Sequence, residues 1–414
     1  MFFKDATPGA RGPGRDASVP RKPGGPMLRL LAKYADKLVN ARLADPGGPL
    51  LCALDDTLIF NRQASEAPVL AGVFERMSMG SLLFLPLAEP YATIVDFLAS
   101  RSGGAITPSD CETRTFFHDL PVVKDFTSDA LASALKRRKS VIVAGRGVAA
   151  HGMVSPEQAF VSASSVCFAC FVKFFADYLS LLRRGQADAE YTAVFERVRG
   201  CLPPMHSHPP DLAAGPFESP EAVARAMDGA GKATVGFGLV DSFFGNISYC
   251  LDAVIHISQT GSSLDELTDC IDPCPLDGSS CAGLTASSEL MAHQAIVLTT
   301  GARAILHGHP RFAVIMSMDC EKLDCENLGR CHIECSEPRF IWDVPVVPGE
   351  VGTGPRGLVN TLPPAMIGRR GVIVYGHGLF AVGREDFRES FATLLSVENF
   401  CREEYFRRVE LLRS

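Results

Sequence analysis

The chain has 414 residues, 47% of them hydrophobic and 21% charged, and 40 Lys and Arg against 47 Asp and Glu leave a net charge of -7. That length suits two to three domains with a large buried core, and the apolar share excludes a chain dominated by disorder. The acidic balance argues against a nucleic-acid binder, which needs clustered cations to neutralise phosphates.

Residues 1–26 hold five Gly, five Pro, five basic and two acidic side chains. They lack the apolar stretch of a secretory signal and read as a disordered tail. Fourteen Cys are then expected as reduced thiols or metal ligands rather than disulfides, with a cytoplasmic location. No uninterrupted apolar run reaches the ~18 residues of a spanning helix. The best candidate, 159–171, carries three serines and reads as a buried helix.

Apolar periodicity predicts a helix over 28–43, strands over 50–53, 57–61, 82–86 and 141–144, then helices over 161–182 and 188–199. Residues 202–219, with five Pro and no periodicity, read as a connection. The order then recurs: a helix over 220–232, strands over 247–251 and 254–258, a helix over 287–300, strands over 302–307 and 371–375, and a closing helix over 392–412.

The recurrence is an internal repeat. Residues 141–160 and 372–391 share eight of twenty positions. The runs 54–60 and 251–257, 90–95 and 311–316, and 120–123 and 344–347 keep the same order at offsets of 197, 221 and 224. Two copies of one domain are therefore expected, at 27–185 and 219–414, joined by a linker over 186–218. Helices alternating with short β-rich runs imply α/β layers.

The chemistry gathers in the second copy. His307 and His309 leave the end of an apolar strand two residues apart, so they share a face. His377 follows another apolar strand and completes a three-nitrogen set if the strands are neighbours. Three imidazoles suit a divalent ion with an open position. At the matched positions the first copy has Pro86, Ala88 and Arg146, so the three imidazoles are absent there as a set. Ser287 and Ser288 fit a helix N-terminus open to an anion, with Glu289 in its first turn. Gly245-Asn246 and Thr260-Gly261 supply close backbone approach and short polar groups.

Taken in order, Gly245-Asn246, Thr260-Gly261, Ser287-Ser288-Glu289, His307-Gly308-His309 and His377-Gly378 resemble the class II aldolase/adducin family over roughly 230–400. The resemblance implies two tandem class II aldolase-like α/β/α layered domains, the first without metal ligands. It implies a divalent ion, zinc in the usual case, on His307, His309 and His377. It assigns the substrate phosphate to Gly245, Asn246, Thr260, Gly261, Ser287 and Ser288, and acid/base work to Glu289. The implied activity is that of an aldehyde-lyase cleaving or isomerising a phosphorylated sugar or similar hydroxy-carbonyl compound through a metal-stabilised enediolate, with epimerisation and dehydration as related chemistries. The expected partners are a phosphorylated small molecule and further copies of the chain, with neither nucleic acid nor membrane.

The sequence departs from that family at 318–335. There Cys320, Cys325, Cys331 and Cys335 follow a C-x4-C-x5-C-x3-C spacing, which suggests a second, structural zinc site or an iron–sulfur cluster. Cys270, Cys274, Cys281 and His332 are further candidates. No tyrosine lies between 250 and 374, where the family carries a proton donor, which leaves Tyr375 and Tyr405 as candidates. Two alternatives stand beside the lyase: a non-catalytic adducin-like scaffold, against which the intact histidines weigh, and a redox or metal sensor built on the thiols. The first copy, paired with the second as an internal pseudo-dimer, could lend a rim or the missing proton donor.

Overall fold

A computed structural model describes residues 25–414 except 242, 280 and 351. The tail expected over 1–26 lies, as far as residue 24, outside the described residues.

The first copy runs α1 (Pro26–Asn40), β1 (Leu50–Leu54), β2 (Leu58–Phe60), α2 (Ala67–Phe74), β3 (Ser81–Leu85), α3 (Tyr91–Ser100), β4 (Ala105–Ile106), α4 (Cys111–Phe117), β5 (Leu120–Val123), α5 (Ser128–Leu135), β6 (Ser140–Val143), β7 (Gly147–Gly152) and α6 (Pro156–Arg183). Helix α7 (Ala189–Gly200) and the proline-rich connection follow. The second copy runs α8 (Pro220–Gly236), β8 (Asn246–Leu251), β9 (Val254–Ser258), β10 (Ile271–Pro275), α9 (Leu290–Thr300), β11 (Ala304–Gly308), α10 (Arg311–Met318), β12 (Arg339–Ile341), β13 (Val344–Val347), α11 (Leu358–Met366), β14 (Gly371–Val374), β15 (Gly378–Gly383) and α12 (Phe387–Arg413).

The two sheets share one plan. The first has the order β2-β1-β3-β7-β6-β5-β4 and the second β10-β9-β8-β11-β15-β14-β13-β12. Each holds a single parallel pair, β5 with β6 and β13 with β14. Strand β10, on the segment where the repeat offset jumps, is an addition to the edge of the second sheet.

Register corrects the alignment expected from sequence. Leu85 faces Val148 and Phe84 faces Ala149, while Gly308 faces Leu379 and His307 faces Phe380. Since the runs 141–160 and 372–391 superpose β7 on β15, His307 corresponds to Phe84 and His309 to Pro86, not to Pro86 and Ala88. The cause is the longer link between β3 and α3 in the first copy, residues 86–90 against 309–310 in the second. The matched helices α3 and α10 carried their own offset back into the strands. The corrected pairing still leaves the first copy without the ligand set.

Alternation along the strands sorts the side chains into layers. In the second sheet Ile257, Ile305 and Phe380 face α9 and α11, while Ile247, Leu306 and Leu379 face the opposite side. In the first, Leu50, Leu82 and Phe84 face α2 and α5, and Leu51, Leu83 and Leu85 the opposite side. Those opposite sides belong to one continuous core, so the two inner helix layers merge. Helix α6 stands at the junction. Phe175 meets Phe312 of α10 at 5.3 Å and Tyr405 of α12 at 5.4 Å. The Tyr405 hydroxyl donates to the Phe175 carbonyl at 2.8 Å. Asp319, after α10, accepts from Arg183 of α6 at 2.6 Å and Arg408 of α12 at 2.7 Å.

By length and composition α6 could cross a membrane, but 83% of its most apolar stretch is buried inside the protein. It is the buried helix expected over 159–171, apolar on all sides because both copies pack against it.

Because one core serves both copies, unfolding is expected to be a single event. Trp342, the only tryptophan, lies in the second copy and stacks on Phe400 at 5.2 Å. Phe175→Ala in the first copy should cost about 3–5 kcal/mol and lower the denaturant midpoint read from Trp342 fluorescence. An unmoved fluorescence midpoint would separate the two cores.

Candidate metal and substrate site

The site forms at one end of the central strands of the second sheet. Strand β11 ends there, and its antiparallel neighbours β8 and β15 begin there. His307 is in β11, with Asn246 at the start of β8 opposite it. His309 follows β11 by one residue, and His377 occupies the turn into β15. The three imidazoles are buried, and their ligand atoms lie within 4.8 Å of one another.

Each ring is held by its surroundings. His307 stacks on Phe380 with centroids 3.8 Å apart, and its Nδ1 meets the Leu379 carbonyl at 3.2 Å. That contact places the proton on Nδ1 and leaves the Nε2 lone pair facing the site. His309 stacks on Phe244 at 5.4 Å and an interplanar angle of 4°. The turn bearing His377 is fixed at Gly376, whose N–H donates to Ser317 Oγ at 2.9 Å. Gly378 has no room for a side chain, since a Cβ there would lie 2.8 Å from both the His307 and His309 rings. Gly245 has φ +80°, and a Cβ on it would lie 2.4 Å from the His307 carbonyl oxygen.

Glu289 is the N-cap of α9, one position before the helix and not within its first turn. Its carboxylate reaches His377 Nε2 at 3.5 Å and His307 Nε2 at 3.6 Å. The Asn246 amide donates to it at 2.7 Å and fixes its orientation. Ser287 and Ser288 lie ahead of α9, Ser287 buried and Ser288 exposed. The Glu289 N–H donates to Ser287 Oγ at 3.3 Å. A bridge between Gln259 and Ala286 sets the Thr260-Gly261 turn beside the serines. Thr260 Oγ1 donates to the Ala286 carbonyl at 3.0 Å. Thus Asn246, Glu289 and the three histidines are brought together directly, and the two polar turns flank the start of α9.

The donor set fits a divalent cation. Burial pushes His307 and His309 well below the usual histidine range, so both are neutral. Their Nε2 atoms face each other at 3.0 Å, close to the ~3.3 Å between two ligands of one tetrahedral ion. His309 Nδ1 and Asn246 Oδ1 are buried without a hydrogen-bond partner among the described residues. A cation shared by the Nε2 lone pairs removes the opposition between them.

The cysteine site expected from spacing does not assemble. Among the described residues, the imidazole triad is the one group of three or more His, Cys, Asp and Glu side chains with ligand atoms within 4.8 Å of one another. Cys320, Cys325, Cys331 and Cys335 lie half-buried on irregular turns, and although the Cys331 thiol feels those of Cys320 and Cys335, the set does not close to within 4.8 Å. Cys331 Sγ instead donates to the Asn327 carbonyl at 3.5 Å. Cys274 is buried in β10. The proton-donor candidate Tyr405 is fully buried between α6 and α12, away from the site. The Tyr375 hydroxyl pairs with the Cys331 thiol.

Three contributors escaped the sequence. Phe244 and Phe380, which orient imidazoles, read as ordinary apolar residues. Glu112 of α4, in the first copy, lies 3.6 Å from His377 Nε2; only the fold brings it there.

A sequence model described as the Class II Aldolase and Adducin N-terminal domain matches residues 225–405. Those residues belong to the class II aldolase and adducin family. Among solved structures, l-fuculose-1-phosphate aldolase of Thermus thermophilus is 25% identical, over 45% of this chain and 95% of that one, with a TM-score of 0.37. YgbL of Klebsiella pneumoniae, a putative aldolase/epimerase/decarboxylase, is 22% identical over 46% and 91%, with a TM-score of 0.38. A sugar-phosphate aldolase of Thermotoga maritima is 20% identical over 46% and 96%, with a TM-score of 0.33. No curated protein matches the chain.

Beneath the triad, His293 bonds Ser248 Oγ at 2.7 Å, and burial lowers it from 6.5 to about 3. The fold therefore holds it neutral, whereas the unfolded chain takes up a proton below 6.5. Its contribution is present above that pH and lost as pH falls towards 3. Metal-free protein should lose about 2 kcal/mol from this group between pH 7 and 5, read as a falling urea midpoint. His293→Gln should flatten that slope, and an unchanged slope would assign the loss elsewhere.

Proposed function

We propose that the chain is a metal-dependent lyase of the class II aldolase type, acting on a phosphorylated sugar or similar hydroxy-carbonyl compound. The observation that carries this reading is the convergence of three buried imidazoles on one point, beside a carboxylate held by Asn246.

His307, His309 and His377 would hold the ion, with zinc favoured by an all-nitrogen set. A divalent ion there supplies Lewis-acid stabilisation of the negative charge that develops on a substrate's carbonyl and hydroxyl oxygens. Glu289 moves the proton: one oxygen accepts from the Asn246 amide, which leaves the other as base and then acid. Thr260-Gly261 and Ser287-Ser288 line the start of α9, where short polar groups and the positive end of the helix suit a phosphate. Phosphate binding at these turns positions the reacting carbons and supplies binding energy remote from the bond that breaks. The site lies at the ends of central strands, with Phe244 and Phe380 keeping water from the imidazole faces.

The adducin-like alternative predicts no need for such a cluster. Metal content separates the two. Wild-type protein should carry about one equivalent of zinc-like metal by plasma mass spectrometry and release an aldehyde from ketose 1-phosphates or related compounds. His307→Ala/His309→Ala should lose both while keeping its melting temperature within a few degrees. Glu289→Gln should keep the metal and lose roughly 100-fold or more in turnover. Full metal in the double histidine variant would remove the enzyme reading and leave the scaffold.

A further inference from the structure

The first copy carries an insertion of its own where β4 joins β5. The second copy links the equivalent strands, β12 and β13, through Trp342 and Asp343 alone. The first inserts residues 107–119, which contain α4. This insertion reaches across to the other copy. Asp110 caps α4 by accepting from the Thr113 N–H at 2.8 Å. The Cys111 N–H donates to the Gly376 carbonyl at 2.7 Å, on the turn that carries His377. The next residue, Glu112, sets its carboxylate 3.6 Å from His377 Nε2, with 29% of the side chain exposed. Phe168 of α6, also in the first copy, stands 6.4 Å from the His309 ring.

We propose that Glu112 is a fifth side chain of the metal site, delivered within one chain by the copy that has no ligands of its own. The inference rests on the metal reading of the triad. Its physical basis is the nitrogen that Glu112 approaches. An outer carboxylate that merely orients a ligating histidine contacts the ring nitrogen turned away from the ion, as the Leu379 carbonyl does for His307. Glu112 and Glu289 instead both approach Nε2 of His377, which is the side facing the other imidazoles. Three neutral imidazoles and one carboxylate leave a divalent ion with a net positive charge. A second carboxylate neutralises it, which favours holding the ion in a partly buried place. Glu112 is exposed enough to swing aside for a substrate, whereas Glu289 is anchored by Asn246.

The test titrates metal-free full-length protein with Co²⁺ alone and follows affinity and the visible absorption that reports ligand number. Glu112→Gln should weaken Co²⁺ binding roughly 10–100-fold and change the absorption band, while Glu112→Asp should recover part of the affinity. An unchanged affinity and band in Glu112→Gln, with binding abolished in His307→Ala/His309→Ala, would overturn the role of Glu112 and leave the metal site standing. Binding unaffected by the histidine variant would overturn the underlying reading and this inference with it. Should the glutamine variant melt early when metal-free, Glu112→Asp decides: a shifted band supports the role, and a wild-type band overturns it.

Discussion

Everything in the site depends on the ends of three antiparallel strands meeting in the middle of a sheet. Because β11 runs opposite to both neighbours, its last residues lie beside the first residues of β8 and β15. The register places Asn246 and Phe380 on either side of His307. Side chains alternate with a period of two. A slip of one residue would therefore move His307 from the face of α9, where Glu289 waits, to the shared inner core. His307 and His309 are buried and neutral, so they repel a proton and welcome a shared cation. Register, burial and ligand chemistry are thus a single constraint seen at three scales.

The first copy shows what the same strand ends become without that constraint. Leu50 stands where Asn246 does, Phe84 replaces His307, and Arg146 replaces His377. Glu66, the N-cap of α2, keeps the place of Glu289. Its carboxylate is paired with the Arg146 guanidinium at 3.4 Å, and that guanidinium also lies over the Phe126 ring at 4.3 Å. A tethered cation therefore stands beside the acid where the second copy has a histidine. Leucine and phenylalanine fill the remaining space as part of a core between the sheet, α2 and α5. The polar site has been converted into ordinary packing around one ion pair, and the frame survives because sheet register and helix packing never depended on the ligands.

Much of this was legible in the sequence, for identifiable reasons. Strands and helices followed from apolar periodicity, and the repeat exposed the shared topology. His307, His309, His377 and Glu289 could be found because each sits beside a glycine or serine in a short motif at a strand or helix end. Three things were not legible. The strand register went astray at Phe84 because a longer β3–α3 link lies between a weak strand match and a stronger helix match. The cysteines misled because spacing says nothing about whether irregular backbone turns thiols towards one another. Glu112 was invisible because it is one acidic residue among 47, distant in sequence, and its meaning comes only from the junction of the copies.

That junction also explains why a copy without ligands need not be dispensable. Helix α6 has almost no polar face: from Ser162 to Phe175 only Lys173 is not fully buried. Cutting the chain between the copies would expose this helix on one side, and Phe312 and Tyr405 on the other. Each buried aromatic of that kind contributes about 1.5–3 kcal/mol from apolar area alone, so the loss would exceed the stability of an ordinary domain after only a few residues. The same helix brings Phe168 up to His309, and the same copy brings Cys111 to the His377 turn. The surface that holds the halves together is therefore continuous with the wall of the site, and a change in how the copies meet is transmitted to two of the three imidazoles without crossing any flexible linker.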